Sequence, residues 1–407
     1  MLYLSWDSLR ADFVSAYGHP RPTTPNLDRL AAEGVLFERA VAQYNWTRPS
    51  YASILTSRYA DGHSLPVRIE PNLAETLQHH GYRTVAFVQN PQLDARFGFS
   101  EGFEEYNQIY SPATPQGLNR YVLPRLRELL RRETPFLLFV QYLDPHWPYP
   151  DGEVDCGSVP SGLRVYDLMR RKTSPSSLAA ADVESALKHL RCGYEVELAA
   201  ADRALGEILA AVREGDALDR VLIVFNSDHG EEFFDHGRFG HQHANLYPEL
   251  TFVPLVIRFP DANFKQPGRV SAIVRNLDLL PTILDVIGIA TPADVEGRSL
   301  VRWAEIGATE RPALSVFEHS LVTIRQGSRS VRLSVGLEPS VAFFDLDTDP
   351  TEKHPIDPSG ADRAFEGLAR RAAQWMDDRE RLVRAGTIAP TLSKAAQERL
   401  RALGYAE

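Results

Sequence analysis

Val221-Leu222-Ile223-Val224-Phe225-Asn226-Ser227-Asp228-His229-Gly230 is an apolar run that ends in a carboxylate, an imidazole and a glycine. A continuous apolar run of this length, closed by a turn-forming residue, reads as a strand buried on both faces. The same grammar recurs along the chain. Leu2 to Trp6 stops at Asp7, Tyr82 to Val88 stops at Asn90-Pro91, and Phe136 to Tyr142 stops at Asp144-Pro145-His146. Val35 to Ala42 and Pro254 to Phe259 read as further strands. Between them lie stretches with helical spacing: Pro25 to Gly34, Leu73 to His80, Gln116 to Arg132, Ser174 to Arg213 and Leu277 to Ile287. Alternating strands and helices predict an α/β fold with a mostly parallel central sheet and helices on both faces. In such sheets ligands bind beyond the carboxyl ends of the strands. Four predicted strands end there in residues able to do chemistry.

Beyond about Pro312 the texture changes. Val316 to Val335 and Val341 to Leu346 read as antiparallel strands with turns at Gln326-Gly327 and Gly336, followed by an amphipathic helix over Ala361 to Arg384 and a short one over Lys394 to Tyr405. The expectation is a catalytic domain over 1–311 and a small C-terminal α+β subdomain with an antiparallel sheet over 312–407.

The 407 residues are 43% hydrophobic and 24% charged, the balance of a globular chain with a large core. The formal net charge of −10 argues against a nucleic-acid partner, which requires clustered Lys and Arg. No apolar run is long enough to span a membrane, and the first strand begins at Leu2 with no leader before it, so a cytoplasmic protein without a membrane anchor is expected. The two cysteines, Cys156 and Cys192, lie in no paired-ligand motif. Two buried free thiols are expected, with a single disulfide as the alternative in an exported protein. Oligomeric state has no signature in the chain.

In Asn45-Trp46-Thr47-Arg48-Pro49-Ser50-Tyr51, a hydroxyl precedes a proline and a helix-compatible run. Proline costs nothing in a first helical turn, where its missing N–H would be unpaired anyway. Thr47 is therefore placed at or just before a helix N-terminus, where N–H groups and the helix dipole favour an anion. Two roles fit: an ordinary capping residue, or a nucleophile toward phosphorus or sulfur. Asp7, Asp228 and His229 are hard or borderline ligands for one divalent metal ion, and the imidazole favours Mn²⁺ or Zn²⁺ over Ca²⁺ or Mg²⁺. Coordination of the Thr47 hydroxyl by such an ion would activate it. His236, His241 and His243 crowd one short segment; His241 and His243 are the expected contacts to a phosphate or sulfate group, or to a second metal. His146, stiffened between Pro145 and Pro148, is a candidate general acid.

Taken together, these segments resemble the sulfatase branch of the alkaline phosphatase superfamily. The matching pieces run in order from Asp7-Ser8-Leu9-Arg10-Ala11-Asp12 and Thr24-Pro25-Asn26-Leu27-Asp28 to Phe344-Asp345-Leu346-Asp347 and Leu403-Gly404-Tyr405. The resemblance implies a metal core of Asp7, Thr47, Asp228 and His229. It also implies a leaving-group role for His146, an oxyanion contact at His241 or His243, and a substrate contact at Asn90. The chain departs from the sulfatase pattern at four places. Sulfatases carry Cys or Ser at the Thr47 position and oxidise it to formylglycine. Tyr51 stands at the place of a helper Arg, Ser8 replaces the second Asp of a metal pair, and His229 replaces an Asn. A sulfated threonine has no second hydroxyl from which to expel sulfate by elimination, whereas a phosphorylated threonine is released by in-line attack of water. The expected activity is hydrolysis of a small anionic phosphate ester, phosphodiester or phosphonate ester. Sulfate ester hydrolysis, soluble phosphotransfer and non-catalytic binding are the alternatives.

Overall fold

A computed structural model describes residues 1–60, 72–111, 114–149, 156, 180–260, 264, 267–318, 320–334 and 340–386. In chain order the strands are β1 (Leu2–Trp6), β2 (Val35–Val41), β3 (Arg83–Val88), β4 (Glu105–Gln108), β5 (Phe136–Tyr142), β6 (Ile223–Ser227), β7 (Glu232–Phe233), β8 (Phe239–Gly240), β9 (Phe252–Arg258) and β10 (Gly268–Arg275). They are followed by β11 (Ala313–Phe317), β12 (Leu321–Gln326), β13 (Arg329–Ser334) and β14 (Ser340–Asp345). The helices are α1 (Pro25–Glu33), α2 (Thr47–Thr56), α3 (Leu73–His79), α4 (Pro115–Leu130), α5 (Ala180–Glu214), α6 (Pro248–Thr251), α7 (Leu279–Val286) and α8 (Arg363–Gly386).

The large sheet has eight strands in the order β10-β2-β9-β6-β1-β5-β3-β4, and every strand but β9 runs in one direction. Strand alternation divides the core into two layers. Leu2, Leu4 and Trp6 face one side with Leu138, Val140, Ile223 and Phe225, beneath α1, α4 and α5. Tyr3, Leu137, Phe139 and Val224 face the other, beneath α2, α3 and α7. A four-stranded antiparallel sheet, β11-β12-β13-β14, is covered by α8 through Phe365, Leu368 and Ala372.

Register positions the chemistry. Trp6 pairs with Tyr142 on one side and with Ser227 on the other, so Asp7 leaves the sheet directly beside Asp228. Val88 pairs with Gln141, which brings Asn90 to the same edge.

Several expectations shift. The strand expected from Val221 begins at Ile223, and the one expected from Pro254 begins at Phe252 and is the antiparallel member of the sheet. The helix expected from Leu277 opens as a 3-10 turn over Asn276–Asp278. The short polar strand β4 and the edge strand β10 carry no long apolar run, and periodicity passes over both. Cys156 and Cys192 are joined in a disulfide, which corrects the expectation of free thiols; their proximity is a tertiary fact that sequence spacing does not carry. The turn at Gly336, the helix over 394–405 and the first residues of the helix expected from Ser174 lie outside the described residues. Among the described residues no helix is long and apolar enough to cross a membrane.

Candidate metal centre and active site

Thr47 is the first residue of α2, a helix buried along its whole length. The N-cap is Trp46, and no side chain caps the helix. The Thr47 hydroxyl therefore does no capping work. It lies 3.4 Å from Nε2 of His229 and accepts a hydrogen bond of 3.2 Å from Nδ2 of Asn90. Asn90 also donates to Oδ2 of Asp7 at 2.5 Å, so one amide ties a candidate nucleophile to a candidate ligand. Its own carbonyl oxygen accepts from the Gln92 N–H at 2.7 Å, which fixes which way the amide faces.

One ligand atom each from Asp7, Asp228 and His229 lies within 4.8 Å of the others, and all three residues are fully buried. His229 donates from Nδ1 to the Gly230 carbonyl at 2.8 Å, and this leaves the Nε2 lone pair aimed at the cluster. That nitrogen is 3.3 Å from Asp228 and 3.7 Å from Asp7. Asp228 Oδ1 accepts the N–H groups of Ser8 at 3.2 Å and His229 at 3.0 Å, while Oδ2 is buried and has no hydrogen-bond donor among the described residues. Ser8 holds a left-handed backbone (φ 57°) and also donates its hydroxyl to Asp7 at 3.0 Å. A β-substituted residue in that region is strained. Here the strain is held by two bonds to the two carboxylates and by Tyr194, whose hydroxyl donates to the Ser8 carbonyl at 2.8 Å.

Electrostatics point the same way. Burial, then the neighbouring Asp7, pushes Asp228 well above the usual carboxylate range. Burial, then the adjacent His241, lowers His229 to about 3, so its imidazole is neutral and free to coordinate. Two buried carboxylates with no Arg or Lys partner among the described residues, one orphaned oxygen and a neutral imidazole fit a divalent cation.

The remaining expected residues divide. His241 packs its ring 4.5 Å from His229 and 4.9 Å from His146, and bonds through Nδ1 to Glu231 at 2.9 Å. His146 turns Nδ1 to the Trp147 carbonyl and leaves Nε2 buried without a hydrogen-bond partner among the described residues. His243 is not turned to the cluster. Its Nε2 is 3.0 Å from Glu232 and its Nδ1 lies 3.3 Å from the His241 carbonyl, so both nitrogens serve the loop. His236 is likewise occupied, stacked on Tyr247 and bonded to the Thr351 carbonyl. Gln141 carries no motif that marks it: from inside the apolar run of β5 it donates to Asp7 at 3.1 Å and accepts from the Asn90 N–H at 2.9 Å. The polar side chain in an otherwise apolar strand was the available signal. Glu231 and Glu232, which no expectation makes site residues, are both fully buried.

The family model described as Sulfatase matches residues 1–289. The chain belongs to the sulfatase family. Among curated members, the Ulvan-active sulfatase of Formosa agariphila is 28% identical over 346 residues, covering 74% of this chain and 64% of that protein. The multifunctional alkaline phosphatase superfamily protein PehA of Trinickia caryophylli is 26% identical over 492 aligned residues, covering 92% of this chain and 93% of its own. Among solved structures, the phosphonate monoester hydrolase of Agrobacterium radiobacter superposes with a TM-score of 0.73 at 22% identity, over 93% of this chain and 95% of that one. The superposition shows a shared fold over 93% of this chain.

Proposed function

We propose that this sulfatase-family chain is a metal-dependent hydrolase that cleaves a phosphate ester, phosphodiester or phosphonate ester through Thr47. The observation that carries the reading is the placement of one buried hydroxyl. Thr47 Oγ1 sits at the start of α2, free of any capping duty, 3.4 Å from His229 and within bonding reach of Asn90. Asp7, Asp228 and His229 would hold the ion, with Mn²⁺ or Zn²⁺ favoured by the mixed carboxylate–imidazole donor set. When bound, such an ion acidifies the threonine hydroxyl and offsets charge on the ester oxygens.

The chain's own groups do the rest. Asn90 and Gln141 keep Asp7 and the hydroxyl in one orientation. The N–H groups of the first turn of α2 face the anionic ester. Attack by Thr47 Oγ forms an O–P bond and breaks the bond to the leaving alcohol. The proton lost by the threonine is balanced by the proton the alcohol gains, delivered by His146. Water then cleaves the phosphothreonine, returns a proton to Oγ and releases the acid. Phosphorus is favoured over sulfur because a threonine cannot form the aldehyde hydrate through which a formylglycine expels sulfate.

The test combines metal analysis with turnover of 4-nitrophenyl phosphate, bis(4-nitrophenyl) phosphate, a 4-nitrophenyl phosphonate ester and 4-nitrophenyl sulfate. Turnover of a phosphorus ester that needs added metal is expected, and Thr47→Ala should lower kcat by about 10³-fold or more with the melting temperature unchanged. Sulfate as the best substrate would replace the phosphorus reading. Transfer to an added alcohol in place of water would make the protein a transferase. Full activity in Thr47→Ala would remove covalent catalysis at this residue.

A further inference from the structure

Residues after the metal cluster form a small hairpin whose pairing has a consequence of its own. Strands β7 and β8 are antiparallel, with Phe233 opposite Phe239 and Glu232 opposite Gly240. The next pair outward is Glu231 and His241. Their side chains meet, with Glu231 Oε1 2.9 Å from His241 Nδ1. The two neighbouring glutamates are used differently. Glu232 accepts from the N–H groups of His236 at 3.0 Å and Arg238 at 2.9 Å, and from the side chains of His243 and Asn245, so it shapes the loop. Glu231 is equally buried, but among the described residues its side chain hydrogen-bonds to His241, and Oε2 has no hydrogen-bond partner there. Its backbone is clamped from behind by Arg10, which donates to the Glu231 carbonyl at 3.1 Å.

His241 is thereby gripped at one nitrogen. No hydrogen bond among the described residues reaches its Nε2, and its ring lies between His229, beside Thr47, and His146.

We propose that Glu231 is the positioning residue of His241. Its carboxylate accepts the Nδ1–H, holds the ring between His229 and His146, and leaves Nε2 as the nitrogen that meets the substrate. This rests on the hydrolase reading above and on the expectation that His241 is the contact to the anionic group of the ester. A carboxylate behind a functional imidazole fixes both tautomer and ring direction, and loss of such a partner costs about 10- to 100-fold.

Two readouts test it. The first needs no substrate: long-range 15N–1H correlation spectra of histidine-labelled protein loaded with Zn²⁺ or Mg²⁺, with His241→Gln identifying the resonance. A proton on Nδ1 of His241 is expected in the unmodified protein and in Glu231→Gln, which keeps an acceptor, and a shift to Nε2–H in Glu231→Leu. An unprotonated Nδ1 in the unmodified protein overturns the proposal. The second is steady-state kinetics. Glu231→Leu should lose about 10- to 100-fold in kcat with KM and metal content nearly unchanged, and Glu231→Gln should recover most of the loss. An unchanged kcat in Glu231→Leu overturns the proposal, as does a Glu231→Gln enzyme no better than Glu231→Leu. If Glu231→Leu fails to fold, the tautomer in the unmodified protein and in Glu231→Gln decides. A protein with no Thr47-dependent turnover would sink the hydrolase reading and leave the spectroscopic result standing.

Discussion

At the level of single residues, Asn90 is the most exposed to test, because one amide serves two functions. It donates to Asp7 and to Thr47. Asn90→Ala frees the carboxylate and the hydroxyl at once, and a loss of about 10- to 100-fold in metal affinity or kcat is expected, read by competition with a metal-binding dye and by turnover. Asp235 tests electrostatics instead. Burial works to raise its pKa, but the Arg10 charge and the 2.7 Å bond to that guanidinium outweigh it, and the carboxyl sits below its usual 3.8. A depressed folded pKa contributes stability that is complete above the unfolded value and lost as pH falls through the folded one. Between about pH 4 and pH 2, Asp235→Asn should therefore lose less stability than the unmodified protein, measured by urea midpoints at each pH. A parallel decline of the two proteins would show that this pair contributes nothing to acid sensitivity.

Among the elements, the turn leaving β6 is the tightest. A Cβ on Gly230 would lie 2.0 Å from the Glu249 carbonyl oxygen, so the backbone itself must move. Gly230 also presents the carbonyl that orients His229. Gly230→Ala is expected to cost about 1–3 kcal/mol or more and to weaken metal binding together with stability. Gly102 gives the comparison. There a Cβ would meet the Glu75 N–H nitrogen at 2.1 Å with φ at +78°, beside the capping box of α3. Gly102→Ala should lower the melting temperature and leave metal affinity intact. If both variants lose metal equally, the effect is global unfolding and not a change at the turn.

On the scale of the whole molecule, the C-terminal sheet grips the segment that carries the histidines. Glu352, buried, accepts from Arg325 at 2.8 Å, Arg332 at 2.7 Å and Ser330 at 2.7 Å. Arg325 continues to the Leu246 carbonyl at 2.8 Å and to the Thr251 hydroxyl at 3.1 Å. Arg332 lies over Tyr247, on whose other partner, His236, the Thr351 carbonyl closes. Removing one member of a buried ion cluster strands the others, so Glu352→Gln should cost about 3–5 kcal/mol by chemical denaturation. Arg269→Ala, at an exposed pair with Glu38, should cost less than about 1 kcal/mol. Similar losses in the two variants would deny the cluster its role.

By itself the sequence determined the α/β class, the order of most elements, and the sheet edge at which the candidate residues Asp7, Thr47, Asp228 and His229 gather. These are local properties: apolar runs set strands, and a carboxylate or imidazole just past a strand end is placed by the strand. What depended on pairing was out of its reach. The register of β1 with β6 sets Asp7 beside Asp228, and the rung beyond β7–β8 turns Glu231 onto His241. His243 has the same chemistry as His241 two residues away, yet Glu232 occupies it. Cys156 and Cys192, far apart in the chain, meet in a disulfide. Hydrogen-bond partners and cross-links are chosen among residues distant in sequence, so only the packed chain decides which of two like side chains is free to react.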